Sequence, residues 1–310
     1  MAAQRGGGSV VVGFDSSDTA RDALILEARL ATAIGGTTLV AAVHPESPPG
    51  AGHIDAEWIA AMREDAEQRL VRARAILGDD AAAEYRTVPS GSASHGLDDL
   101  ADSVEATAIV VGSGKDGPLR RLLAGSTAER LLHGASVPVV VASRGARAGL
   151  GDPVQVIGCA FIDTPDGREA LRVAADLAER AHARLRVLTV MTRQSEFAVF
   201  GGREERGFVA ASRSAYQDAV DKAVAGLPQR VSASGELLSG DVVDALAALD
   251  DRDLDLLVCG SRGYGPLRRV LLGGASSKLV RRAATPVMVV PRSAGCVPSV
   301  ECRGSARLTE

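Results

Sequence analysis

A chain of 310 residues is long enough for two domains of ordinary size. Its net charge of −4 and 3% aromatic content deny it the basic surface and stacking rings that nucleic-acid binding needs. No apolar run approaches the ~18 residues of a membrane span, so neither nucleic acid nor membrane is an expected partner.

The start, MAAQRGGGSVVVGF, has no signal-peptide core, and a cytoplasmic protein is expected. Cys159 and Cys259 lie in strand-like runs and Cys296 and Cys302 near the C-terminus, which is no disulfide framework. The five histidines are scattered singly, without metal-ligand spacing, and no metal site is expected.

After a Gly-rich N-terminus expected to be disordered over 1–8, Ser9 to Phe14 is an apolar run of strand length. It meets Asp15-Ser16-Ser17-Asp18, a cluster of helix N-cap residues. Ala20, Leu24, Ala28 and Ala31 share one helical face, Gly35-Gly36 stops the helix, and Thr38 to Val43 is the second strand. His44 to Gly52, rich in Pro and Gly, is a loop. Ile59, Met62, Ala66, Leu70, Ala73 and Leu77 then mark a long amphipathic helix. Tyr85 to Val88 is the third strand, Leu97 to Val104 a helix, Ala108 to Val111 the fourth strand and Val137 to Val141 the fifth.

Residues 144–153, with Gly, Ala, Arg and Pro, form a linker, and the plan then repeats. Strands are expected at Val154 to Phe161, Leu185 to Val190, Val231 to Leu237, Leu256 to Cys259 and Pro286 to Val290. Helices start at Asp166, lie within Glu204 to Leu227, and span Asp241 to Leu249. The tail, 293–310, lacks periodicity and is expected to be disordered. The fold class is therefore α/β: two tandem domains, 9–143 and 154–292, each a five-stranded parallel open sheet with helices on both faces, Rossmann-like. Ligands of such sheets bind outside the carboxyl ends of the strands.

The duplication shows most clearly in GSGKDGPLRRLLAGSTAERLLHGASVPVVV, from Gly112, which returns as GSRGYGPLRRVLLGGASSKLVRRAATPVMVV, from Gly260. The offset holds elsewhere: 260 − 112 and 163 − 15 both give 148, the second pair being Asp15 and Asp163 after each first strand. A Gly-rich loop between a strand and a helix N-terminus offers free backbone N–H groups and favours phosphate. Gly112 to Gly117 also spells G-x-G-x-x-G, but it follows the fourth strand and is absent from the second copy, so a dinucleotide fingerprint is discounted.

On these motifs the chain resembles a tandem universal stress protein, over about residues 9–292. The resemblance implies an adenine nucleotide alpha hydrolase-like fold. In the nucleotide-binding branch it also implies a loop of Gly, two residues, Gly, nine residues, Gly, then Ser or Thr. Gly260, Gly263 and Gly273 fit this, with Gly274 in the hydroxyl position and Ser276 beyond it; in the first copy Gly112, Gly125 and Ser126 fit, with Lys115 in place of the middle glycine. Asp15 with Val43, and Asp163 with Val190, would flank adenine and ribose. The implied cofactor is ATP, with or without Mg, and the implied role a non-enzymatic stress regulator.

Other readings of the same residues stand beside these. Asp15 and Asp163 would serve equally as helix N-caps, Ser126 with Glu129 spells a capping box, and the glycines would serve turn geometry. The alternative function is a protein-interaction scaffold that has lost the ligand; a slow ATP hydrolase is the weaker alternative, since no water-positioning residue presents itself beyond Asp15, Asp163 and Lys115. The halves are expected to pair through their last, β-branched strands, with a homodimer of the whole chain left open. The second half is expected to bind nucleotide more tightly, because a side chain at Lys115 opposes close approach of phosphate.

Overall fold

The computed structural model describes residues 8–46, 53–79, 81–114, 126–145, 149–191, 203–261 and 274–291. The first half runs β1 (Ser9–Gly13), α1 (Asp18–Ile34), β2 (Thr37–His44), α2 (His53–Leu77), β3 (Ala83–Pro89), α3 (Ala93–Ser103), β4 (Ala108–Gly112), α4 (Ser126–Gly134) and β5 (Val139–Ala142). The second runs β6 (Val156–Ala160), α5 (Pro165–Ala181), β7 (Arg184–Met191), α6 (Arg203–Ala225), β8 (Ala233–Ser239), α7 (Val242–Ala247), β9 (Leu256–Gly260), α8 (Gly274–Arg282) and β10 (Val287–Val290).

Local chemistry sets the ends of these elements. Ser17 caps α1 by accepting from the Ala20 N–H, and Gly35 closes it at φ 65°, its own N–H reaching the Ala31 carbonyl. Thr164 caps α5 in the same way through Gly167, with Pro165 in the first turn. The capping reading of Asp15 and Asp163 is therefore corrected: a hydroxyl nearer each helix takes that role. The last strands start at Val139 and Val287, two and one residues later than expected, because Pro138 and Pro286 have no N–H for the ladder. Their carbonyls are used, accepting from Ile109 and Leu257.

The ten strands among the described residues share one sheet, in the order β3-β2-β1-β4-β5-β10-β9-β6-β7-β8. Each half is parallel within itself. At the centre β5 and β10 pair antiparallel, with Val141 opposite Val287 and Val139 opposite Val289. The order reads the same from either end, so the halves are related by a pseudo-twofold normal to the sheet.

Alternate residues of each strand face opposite layers, and both layers are apolar and continuous through the junction. Val140, Ala142, Met288 and Val290 join α1, α2, α5 and α6 in one core. Val139, Val141, Val287 and Val289 join α3, α4, α7 and α8 in the other. The near-continuous valine runs that read as strands are those of a sheet covered on both faces.

Candidate functional site

The helix after β1 packs on one face of the sheet and the helix after β4 on the other, so the chain parts at the carboxyl ends of these neighbouring strands. A cavity of about 690 Å³ opens there, lined by Asp15, Val43, Gly112 and Ser126 together with Ser113 and Thr127. Four of the six first-half residues chosen from the sequence thus converge. The other two, Lys115 and Gly125, lie outside the described residues.

The wall is built by tight turns. Asp15 Oδ1 accepts from the Ser17 N–H at 3.0 Å and from its hydroxyl at 2.5 Å, bracketing Ser16, which is held in the left-handed region at φ 65°. Gly112 is glycine for reasons of space: a Cβ there would lie 2.4 Å from the Thr19 carbonyl oxygen and 2.9 Å from the Ala20 nitrogen, in the first turn of α1. Gly260 repeats this, with Asp166 O 2.9 Å from the same imagined atom. At these two positions the repeated glycine is accounted for by a strand end seated on a helix start. Gly112→Ala is therefore expected to cost about 1–3 kcal/mol of stability in urea denaturation, with no ligand present.

Ser126 is the first residue of α4. Glu129, read from sequence as the second half of a capping box, extends instead to Arg281 of α8, in the other half of the chain. Arg281 also lines the cavity, as does Arg69 of α2, which is paired with Asp65. Among the described residues, the hydroxyl of Ser113, which is 4% exposed, has no hydrogen-bond partner. The cavity thus combines apolar Ala41, Leu97 and Val111 with hydroxyls, the first residues of α4 and the guanidinium groups of Arg69 and Arg281 in its lining. Such a lining suits a ligand with a flat apolar body and an anionic end.

The second-half residues are arranged differently. Asp163 Oδ1 accepts from Arg168 Nε at 2.7 Å, and this hydrogen bond holds its carboxyl below the ordinary carboxylate range. Both line a groove of about 500 Å³ between α5 and α6, whose described lining includes neither Gly260 nor Ser276. The caps Ser17 and Thr164 register the two helices at an offset of 147, not the 148 that paired Asp15 with Asp163 in the sequence, so Asp163 corresponds to Ser16 and Arg168 to Arg21. Ser276 is buried and donates its hydroxyl to the Gly260 carbonyl at 2.9 Å. Gly274 opens α8 with nothing within 4 Å of an added Cβ among the described residues, and Val190 lies near the end of β7. Gly263 and Gly273 fall outside the described residues.

Cys159 and Cys259 are fully buried, and burial pushes both thiols up, away from reactive thiolate. Among the described residues no group of three or more His, Cys, Asp or Glu could hold a metal, and no helix is long and apolar enough to cross a membrane. Sequence reasoning missed Ser113 and Arg281. The hydroxyl next to Gly112 was legible in the loop; nothing local to Arg281-Arg282 marks a contact 152 positions away.

The sequence profile of the universal stress protein family matches twice, over residues 8–143 and 154–291. A universal stress protein of Mycobacterium tuberculosis is 29% identical over 296 residues, covering 91% of this chain and 99% of its own. Another, from Mycolicibacterium smegmatis, is 31% identical over 195 residues, 61% of this chain and 63% of its own. Among solved structures, a universal stress protein from Archaeoglobus fulgidus superposes with a TM-score of 0.66 at 21% identity, covering 92% of this chain and 98% of that one. A protein of unknown function from Pseudomonas aeruginosa follows at 0.59 and 14%, with 92% of each chain covered. With the profile matched in both halves, the chain belongs to the universal stress protein family and carries the family's domain in tandem.

Proposed function

We propose that the chain binds an adenine nucleotide, ATP with or without Mg, and acts in the cytoplasm as a non-enzymatic regulator of the stress response. The observation that carries this reading is the cavity at the carboxyl ends of β1 and β4, where Asp15, Val43, Gly112 and Ser126 line one space. On this reading the domains are 9–143 and 154–292, joined through 144–153, and the antiparallel β5–β10 junction does the work of a dimer interface within one chain. The second domain is the tighter seat, because Gly260, Gly263 and Gly273 keep the glycine spacing while the first domain has Lys115 at the middle position.

The first test is mass spectrometry of the denatured purified protein, which should release adenine nucleotide. Calorimetry with ATP and magnesium should then show one strong site, abolished by Gly263→Lys, and a weaker one strengthened by Lys115→Gly. A strong site that survives Gly263→Lys assigns the tight seat to the first domain. A second reading, an interaction scaffold without ligand, is favoured by the engagement of Asp163 with Arg168 and of Ser276 with Gly260. It predicts no co-purified nucleotide and no heat of binding.

A further inference from the structure

We propose that Arg281, contributed by the second domain, is a phosphate-binding cation of the first domain's cavity, and that its ion pair with Glu129 is exchanged for the ligand. The proposal rests on the reading that this cavity takes a nucleoside polyphosphate. The antiparallel junction makes it geometrically sound. It runs the two parallel half-sheets in opposite directions, so the last turn of α8, which leads into β10, comes to the end of the sheet where α4 begins. Arg281 lies in that last turn, Glu129 in the first turn of α4, and both line the cavity with Ser126 and Thr127.

The pair is placed for exchange rather than for stability. Its side chains are 50% and 43% exposed, and an ion pair so hydrated is weakly held. Glu129 sits near the helix N-terminus, where a ligand's anionic group would settle. An incoming polyphosphate carries more charge than one carboxylate and presents oxygens that the planar guanidinium can bind bidentately. Arg281 therefore turns from Glu129 to the phosphate. Ser113, buried in the same lining, has no partner for its hydroxyl among the described residues and is an independent polar group available to a ligand.

The duplication does not repeat the device. The position equivalent to Arg281, at 281 − 148, is His133, whose Nδ1 lies 2.6 Å from the Glu129 carbonyl oxygen. The first domain's seat thus draws on charge from across the junction, and its occupancy is coupled to a contact between the domains.

The test is calorimetry of ATP and of adenosine with the full chain carrying Gly263→Lys, so that remaining binding reports on the first domain, with and without Arg281→Gln or Glu129→Gln. Loss of one charge-assisted phosphate contact should weaken ATP by about tenfold or more in Arg281→Gln. Its affinity should also become less sensitive to salt, while adenosine binding is unchanged. Glu129→Gln should strengthen ATP several-fold by removing the competing anion, a result that stands even if Arg281→Gln folds poorly. ATP affinity indifferent to both substitutions overturns the role of Arg281 and leaves the nucleotide reading intact. Absence of both ATP and adenosine binding in the wild type overturns that reading and this proposal together.

Discussion

Asp255→Ala is expected to destabilise the protein by about 3–5 kcal/mol in urea denaturation, and Arg29→Met by less, about 1–3 kcal/mol. The two residues form an ion pair across the domain junction, Arg29 Nη2 to Asp255 Oδ1 at 2.6 Å, with side chains 5% and 20% exposed. Arg29, on α1, also donates from Nε to the Asp152 carbonyl and from Nη2 to the Pro153 carbonyl, pinning the segment that joins the domains. Asp255 accepts on its other oxygen from the N–H groups of Gln155 and Val156, at 2.8 and 3.0 Å.

The asymmetry follows from what each deletion strands. Without Asp255 a buried guanidinium keeps only two carbonyl partners, its charge is uncompensated, and two backbone N–H groups lose their acceptor. Without Arg29 the carboxylate keeps both N–H donors. Because each core runs through the β5–β10 junction, unfolding should stay a single transition in both variants. Equal losses, or a larger loss in Arg29→Met, would show that the network is not organised around a charge that burial makes costly.

Glu27→Gln is expected to raise stability at pH 8 by several kcal/mol while changing it little at pH 5. Glu27 lies on the buried side of α1 with no exposed surface, and among the described residues neither carboxylate oxygen meets a hydrogen-bond partner in good geometry. Burial pushes its carboxyl from the ordinary 4.5 up to about 8, outweighing the neighbouring Thr38 hydroxyl, which acts to lower it. With the folded-state pKa raised, the folded protein holds a proton that the unfolded chain releases. The contribution is therefore fully present below about pH 4.5 and is lost as pH rises towards 8, by about 1.4 kcal/mol per unit in that window. Gln has no proton to lose, so the variant should show a flatter stability profile. Parallel profiles for wild type and variant would place the titrating group elsewhere.

Glu27 and Arg29 also mark where reading α1 from its periodicity stops. Ala20, Leu24 and Ala31 are buried as their spacing implies, but Ala28 is half-buried while Glu27 and Arg29 are buried. A charged residue reads as surface because burial without a partner costs several kcal/mol. The partners of Arg29 are supplied from positions more than 120 residues away.

The sequence by itself determined the elements, their alternation, the duplication, with its offset of 148 over the last helix and strand of each half, and the end of each sheet at which Asp15, Gly112 and Ser126 would stand. These depend on local periodicity, caps and breakers, which act over a few residues and so are written in the chain. Only the tertiary structure decided that ten strands join in one sheet, that Thr19 and Asp166 demand glycine at positions 112 and 260, that Asp163 is tied to Arg168, and that Arg281 and Asp255 reach across the junction. The reason is that ion pairs and close backbone approaches depend on distances set by packing, and residues 152 and 226 positions apart carry no sign of each other until the sheet brings them together.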